Sequence, residues 1–201
     1  MRALMLAFLW CAAAMAQGTE TKKAAAEYPA HGRVGDLEIG AEYMVHSVSF
    51  AHSTFITEDY LVVEVAIFPP DRRDFVVKTS DFTLRLNGKQ VMMTQTPGIV
   101  ASSLRYNDWG QDPQSRFPGD NRGNRQPFPP VPRAPEDSGA PDTATPDASE
   151  VINRSALPEG PRKTSVSGYL FFPWRGKLSK IKSLELLVQA GSEGPVAIRL
   201  R

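Results

Sequence analysis

Between Val34 and Leu104 apolar and polar residues alternate with a period of two. Leu37, Ile39 and Ala41 lead into Tyr43 and Val45, and after a slip the pattern resumes at Val48 and Phe50. Leu61, Val63, Val65 and Ile67 share one face of a strand, while Val62, Glu64, Ala66 and Phe68 share the other. Phe82, Leu84 and Leu86 alternate with Thr83 and Arg85, and Asn87-Gly88 follows at once. An Asn-Gly step after alternation predicts a hairpin with a type I′ turn, because both central residues need positive φ. Gln90 to Met93 is then the returning strand. Pro69-Pro70 closes the strand before it, since neither residue can donate to a ladder. No extended window in this block keeps a helical period, so it is read as strands alone. The slip between Val45 and Val48 predicts a bulge.

The same text returns near the end of the chain. Val166, Gly168, Leu170 and Phe172 alternate with Ser167, Tyr169 and Phe171 before Pro173. Leu184, Leu186 and Val188 form another strand, Ala190 to Pro195 a turn, and Val196, Ile198 and Leu200 the last strand. The two blocks hold roughly eight strands, which predicts an all-β fold: an immunoglobulin-like antiparallel β-sandwich.

Composition separates the two blocks. Residues 105–163 hold 11 of the 17 Pro and only six Leu, Ile, Val or Phe in 59 positions. That apolar share is far below the ~20 % under which chains stop folding, and QPFPPVPRAP from Gln126 favours polyproline II. The layout is a flexible lead-in over 17–33, one sandwich domain made of 34–104 and 164–201, and a long disordered Pro-rich insertion over 105–163. Loop-closure entropy grows only logarithmically, so such an insertion is tolerable.

The start of the chain reads as an export signal. Arg2 precedes an apolar run from Leu4 to Ala14, and Ala14-Met15-Ala16 is a small-x-small cleavage site, so 1–16 is a signal peptide cut near Ala16. The apolar stretch is short of the ~20 residues that span a bilayer, so no transmembrane segment is expected in the mature chain. Trp10 stands before Cys11 where a lipoprotein signal wants a small residue, which argues against lipidation. Cys11 leaves with the signal, and the fold must hold without disulfides in an extracytoplasmic setting, periplasmic or secreted.

Three segments carry a family resemblance: Tyr60 to Ile67, Thr79-Ser80-Asp81-Phe82-Thr83-Leu84, and Gly168 to Pro173 with the closing Leu184 to Leu200. They resemble a family of small exported bacterial domains of unknown function, under a telomeric-repeat-binding-factor-like label, related in fold to the mycobacterial immunoprotective extracellular antigen. The resemblance implies an immunoglobulin-like sandwich and extracytoplasmic residence, with no catalytic residues and no DNA binding. The chain departs from the family at Phe68-Pro69-Pro70, where a polar turn is usual, and in its long insertion.

Charge and chemistry add few constraints. A formal net charge of +1 argues against a chain whose main work is gripping nucleic acid or a membrane surface. His31, His46 and His52, with Glu42, Glu58 and Asp59 nearby, match no metal-ligand spacing, and no metal or cofactor is expected. No nucleophile elbow or Ser-x-x-Lys occurs, and Ser102-Ser103 stand without a motif. The candidate partner-binding residues are Tyr106, Trp109, Phe117 and Phe128, interleaved with Arg105, Arg116, Arg122 and Arg125. Such aromatics suit stacking on a partner, but tacking the loop onto its own domain, or plain disorder, is the preferred reading. Asn153-Arg154-Ser155 is a glycosylation sequon. Val34 to Leu104 holds 9 acids and 5 bases, whereas Thr164 to Arg201 holds 6 bases and 2 acids. Arg175, Lys177, Lys180 and Lys182 cluster in one connection. They read as the electrostatic counterpart of the acidic block, with a basic edge toward an anionic envelope polymer or lipid as the other reading. The functional expectation is an exported, non-catalytic binding or accessory module of the cell envelope, with an envelope protein or polymer as partner. The alternative is an envelope hydrolase or carbohydrate-active enzyme using dispersed acidic or His residues.

Overall fold

The computed structural model describes residues 18–50, 53–70, 73–108, 147–189 and 194–201. In chain order the elements are β1 (Ala30–Val34), β2 (Leu37–Val45), β3 (Ser47–Phe50), β4 (Ser53–Ile56), β5 (Tyr60–Phe68), β6 (Phe75–Val77), β7 (Phe82–Leu86) and β8 (Gln90–Met93). They continue with α1 (Pro97–Asp108), α2 (Ala148–Ser155), β9 (Gly160–Arg162), β10 (Val166–Pro173), β11 (Leu184–Gln189) and β12 (Pro195–Arg199). The first four-stranded sheet has the order β1-β2-β5-β10 and the second β12-β11-β7-β8, while β3-β4 and β6-β9 are separate two-stranded sheets. All these pairings are antiparallel.

The two larger sheets enclose one core. Leu61, Val63, Val65 and Ile67 of β5 share a buried cluster with Leu170 and Phe172 of β10, and with Leu84, Leu86, Leu184 and Leu186 of the second sheet. Each fully buried side chain of this size contributes about 1.5–3 kcal/mol against exposure. The outward face of β5 is also buried over most of its length, because a second cluster covers it. Val62, Tyr60, Tyr169 and Phe171 pack there under Val48 of β3, Val100 and Ala101 of α1, and Val151 and Ile152 of α2. A strand apolar on both faces thus becomes the middle layer of three.

The Asn-Gly hairpin forms as its chemistry requires. Asn87 and Gly88 adopt φ of 51° and 70°, and Lys89 N–H donates to the Leu86 carbonyl at 3.1 Å. The bulge expected after Val45 lies slightly earlier, as a register shift between Tyr43 and Val45.

Three expectations from the sequence are corrected. The lead-in is built into the fold: Ala25–Glu27 is a short 3-10 helix, β1 follows, and Tyr28 is buried. The first block runs into a helix at Pro97, where Thr96 precedes a proline suited to the first helical position. The stretch read as disordered contains α2 and β9, so only 109–146 of it falls outside the described residues. Of its six aliphatic or Phe residues, Val151, Ile152 and Leu157 are buried within one short amphipathic window. Averaging over the whole stretch hid that window.

Candidate functional site

The outward face of the first sheet is where the non-sheet elements converge. The free edge of β10 is closed by three distant segments. Gln95 N–H donates to Phe171 O at 2.7 Å, Leu157 N–H to Tyr169 O at 3.0 Å, and Thr19 N–H to Ser167 O at 3.1 Å. This satisfies alternate carbonyls of a strand that would otherwise template pairing with another chain.

Below the helices, residues 18–28 cross the same face as a strap. Glu64 of β5 stands opposite Glu42 of β2 and Tyr169 of β10 in the ladder. The Thr19 hydroxyl donates to Glu64 at 2.6 Å, and the buried Ser167 hydroxyl lies 2.9 Å from Thr19 Oγ1 and 2.8 Å from Thr21 Oγ1. Lys22 pairs with Glu42 at 2.9 Å and sits 4.4 Å from the centre of the Tyr28 ring. Tyr28 in turn covers Gly40, where a Cβ would run into its ring. Burial holds the Glu64 carboxyl above the usual carboxylate range, and the charge of Glu42 adds to this against the hydrogen bond from Thr19 and the charge of Lys22. The hydrogen bond to Glu42 raises Lys22, and burial raises Tyr28 and Tyr169. Both carboxylates therefore hold the strap in place.

Two cavities lie away from this cluster, toward the end capped by β6 and β9. One of about 40 Å³ is lined mainly by apolar residues including Val34, Leu37, Ile39 and Phe82. A shallow one of about 260 Å³ is lined by Phe68, Pro69, Lys163, Thr164 and Ser165.

The residues singled out from sequence scatter. His31 is exposed on β1, His46 Nδ1 lies 2.6 Å from the Tyr60 carbonyl oxygen, and His52 is outside the described residues. Among the described residues no group of three or more His, Cys, Asp or Glu is placed to hold a metal ion. Ser102 and Ser103 donate to the Ile99 and Val100 carbonyls of their own helix. Trp109, Phe117 and Phe128 lie outside the described residues, and Tyr106 falls on α1 with only its backbone described. The sequon lies on α2, where the Ser155 hydroxyl is buried and donates to the Val151 carbonyl at 2.7 Å. The anchoring helices were missed. Asp147 accepts from Ser149 N–H at 3.0 Å, and Asp147 with Glu150 three residues on is the start signal that could have found α2.

No family model matches the chain, and no curated protein matches it. Among solved structures, a lipoprotein candidate of Bacillus subtilis subsp. subtilis str. 168 is similar at 15% identity with a TM-score of 0.39. The match covers 84% of this chain and 37% of that one, so the chain spans little more than a third of that protein's length. No helix among the described residues is long and apolar enough to cross a membrane.

Proposed function

We propose that the chain is an exported, non-catalytic binding or accessory module of the cell envelope, with an immunoglobulin-like sandwich as the platform and the Pro-rich segment 109–146 as its reaching element. One observation carries this reading. The two helices that bound the segment, α1 and α2, pack together on the first sheet through Val100, Ala101, Val151 and Ile152. Both roots of the segment are thereby fixed to a rigid face, an arrangement suited to displaying Trp109, Phe117 and Phe128. The immunoglobulin-like label draws support from two antiparallel four-stranded sheets facing across one core. Export draws on the Arg2 start, the apolar run and the Ala14-Met15-Ala16 site.

The test is capture of envelope proteins and purified envelope polymers by the full mature chain, by a chain lacking 110–145, and by a triple alanine variant at Trp109, Phe117 and Phe128. A specific partner retained by the first and lost by the other two is expected. Equal capture by all three, or fractionation of the mature protein in the cytosol, overturns the reading.

A further inference from the structure

One end of the sandwich is cationic in a way the pairing of acidic and basic blocks does not explain. Arg175, Lys177, Lys180 and Lys182 lie in the β10–β11 connection, where Arg175 to Lys180 are all exposed. Only Arg175 pairs with an acid of the first block, Asp59, at 3.1 Å. Lys177, Lys180 and Lys182 make no ion pair among the described residues. The Asn87 turn of β7 and β8 brings Lys89 to the same end. The Asn87 side-chain amide donates to the Lys180 carbonyl at 2.9 Å and accepts from Lys182 N–H at 2.7 Å and Ser183 N–H at 3.1 Å. Exposed Glu58 and the paired Asp59 are the acids of the adjoining turn.

The opposite end differs. There Arg73 pairs with Asp36 at 3.1 Å and Lys163 with Asp74 at 3.6 Å. Both cavities described above belong to that end as well. At the cationic end the loop residues Arg175 to Lys180 all face solvent.

The loop is held firmly. Trp174 packs against the core at one side, Ile181 is buried at the other, and Leu178–Lys180 forms a 3-10 turn at the tip. Leu178 is exposed at that tip, between Lys177 and Lys180. Unpaired lysines around an exposed aliphatic side chain, on an exposed and pre-ordered loop, match the chemistry of an anionic bilayer surface: cations for headgroups, one apolar contact for the acyl boundary. A strand of polyanion would instead need a groove or aromatic platforms to track its backbone.

We propose that this end of the sandwich, through Lys89, Arg175, Lys177, Lys180, Lys182 and Leu178, docks on anionic phospholipid. The inference deepens the envelope reading by naming the surface, and it makes no use of the 109–146 segment. Each lysine near such a surface is worth about fivefold in affinity, so losing three removes about a hundredfold. Because the surface charges are screened, binding weakens as salt rises.

The experiment is co-sedimentation of the full mature chain with phosphatidylcholine vesicles and with vesicles containing phosphatidylglycerol. Soluble polyphosphate serves as a polymer arm. Expected are binding to the anionic vesicles alone, a loss of about a hundredfold in the triple variant Lys177→Gln, Lys180→Gln, Lys182→Gln, retention in the corresponding Lys→Arg variant, and a smaller loss in Leu178→Ala. No vesicle binding, equal binding to both vesicle types, an unaffected triple variant, or binding to polyphosphate without vesicle binding would each overturn it. Vesicle binding that survives deletion of 110–145 separates this proposal from the display reading, which the partner-capture experiment tests alone.

Discussion

The Thr19 hydroxyl donates a 2.6 Å hydrogen bond to Glu64, tying the first described turn of chain to the middle of the central strand. Glu64 also faces Glu42 across the ladder, and Glu42 is held by Lys22 of the same strap. Polar residues at the start of the chain thus answer two acids on an otherwise apolar face, and the strap shields the lower part of the sheet that the helices leave uncovered.

This pairing sets a pH dependence. Burial raises the Glu64 pKa, so the folded state holds the proton more tightly than the unfolded state does. The contribution is full below the ordinary carboxylate pKa and is lost as pH rises through the raised value. Glu64→Gln, which keeps an acceptor for Thr19, should stabilise the protein at neutral pH and lose that advantage under acid conditions. Denaturation midpoints of the two proteins across the pH range check this; a constant difference at all pH values speaks against it.

The strap can be displaced from beneath. A methyl group at Gly40 collides with the Tyr28 ring. Gly40→Ala should cost about 1–3 kcal/mol, typical of overpacking. It should also speed tryptic cleavage at Lys22-Lys23, which a timed digest with mass spectrometry would show. Unchanged cleavage would mean that the strap stays docked.

Deletions should separate the segment 109–146 from the helices that flank it. Removing 110–145 with a short linker is expected to leave stability almost unchanged. Removing 106–162 takes away the buried Val151, Ile152 and Leu157, at roughly 2–5 kcal/mol for each such side chain lost. Chemical denaturation of both truncated chains measures the difference, and near-equal stability would show that α2 contributes little.

Asn87 joins the turn to the cationic loop. Asn87→Gly keeps the positive φ but loses three hydrogen bonds to 180–183, at about 1 kcal/mol net for each. Asn87→Ala should be worse, because alanine resists that φ. Midpoints ordered wild type, then Gly, then Ala are expected, with faster proteolysis at Lys177 to Lys182 in both variants. Equal midpoints for Gly and Ala would remove the backbone argument.

Much of the antiparallel β structure is legible from local pattern. Leu61 to Ile67 and Phe82 to Leu86 announce their strands because neighbouring side chains on a strand point to opposite faces. Asn87-Gly88 announces its turn because few other residues accept positive φ. Val151 and Ile152 were not legible within a Pro-rich stretch, since their helix is too short to stand without the sheet beneath it. The strap was equally silent: Thr19 and Lys22 look like ordinary solvated residues until Glu64 and Glu42 stand under them.

What the sequence by itself determined is the strands β2, β3, β5, β7, β8, β10, β11 and β12, the hairpin turn and the acidic and basic division of the two blocks, because each depends on residues close along the chain. The tertiary structure alone decided that residues 18–28 seal a sheet, that two helices root the Pro-rich segment on it, and that the loop lysines stand unpaired at one end. Those outcomes rest on contacts such as Thr19 with Ser167, 148 positions apart. No local period or propensity records a partner at that distance.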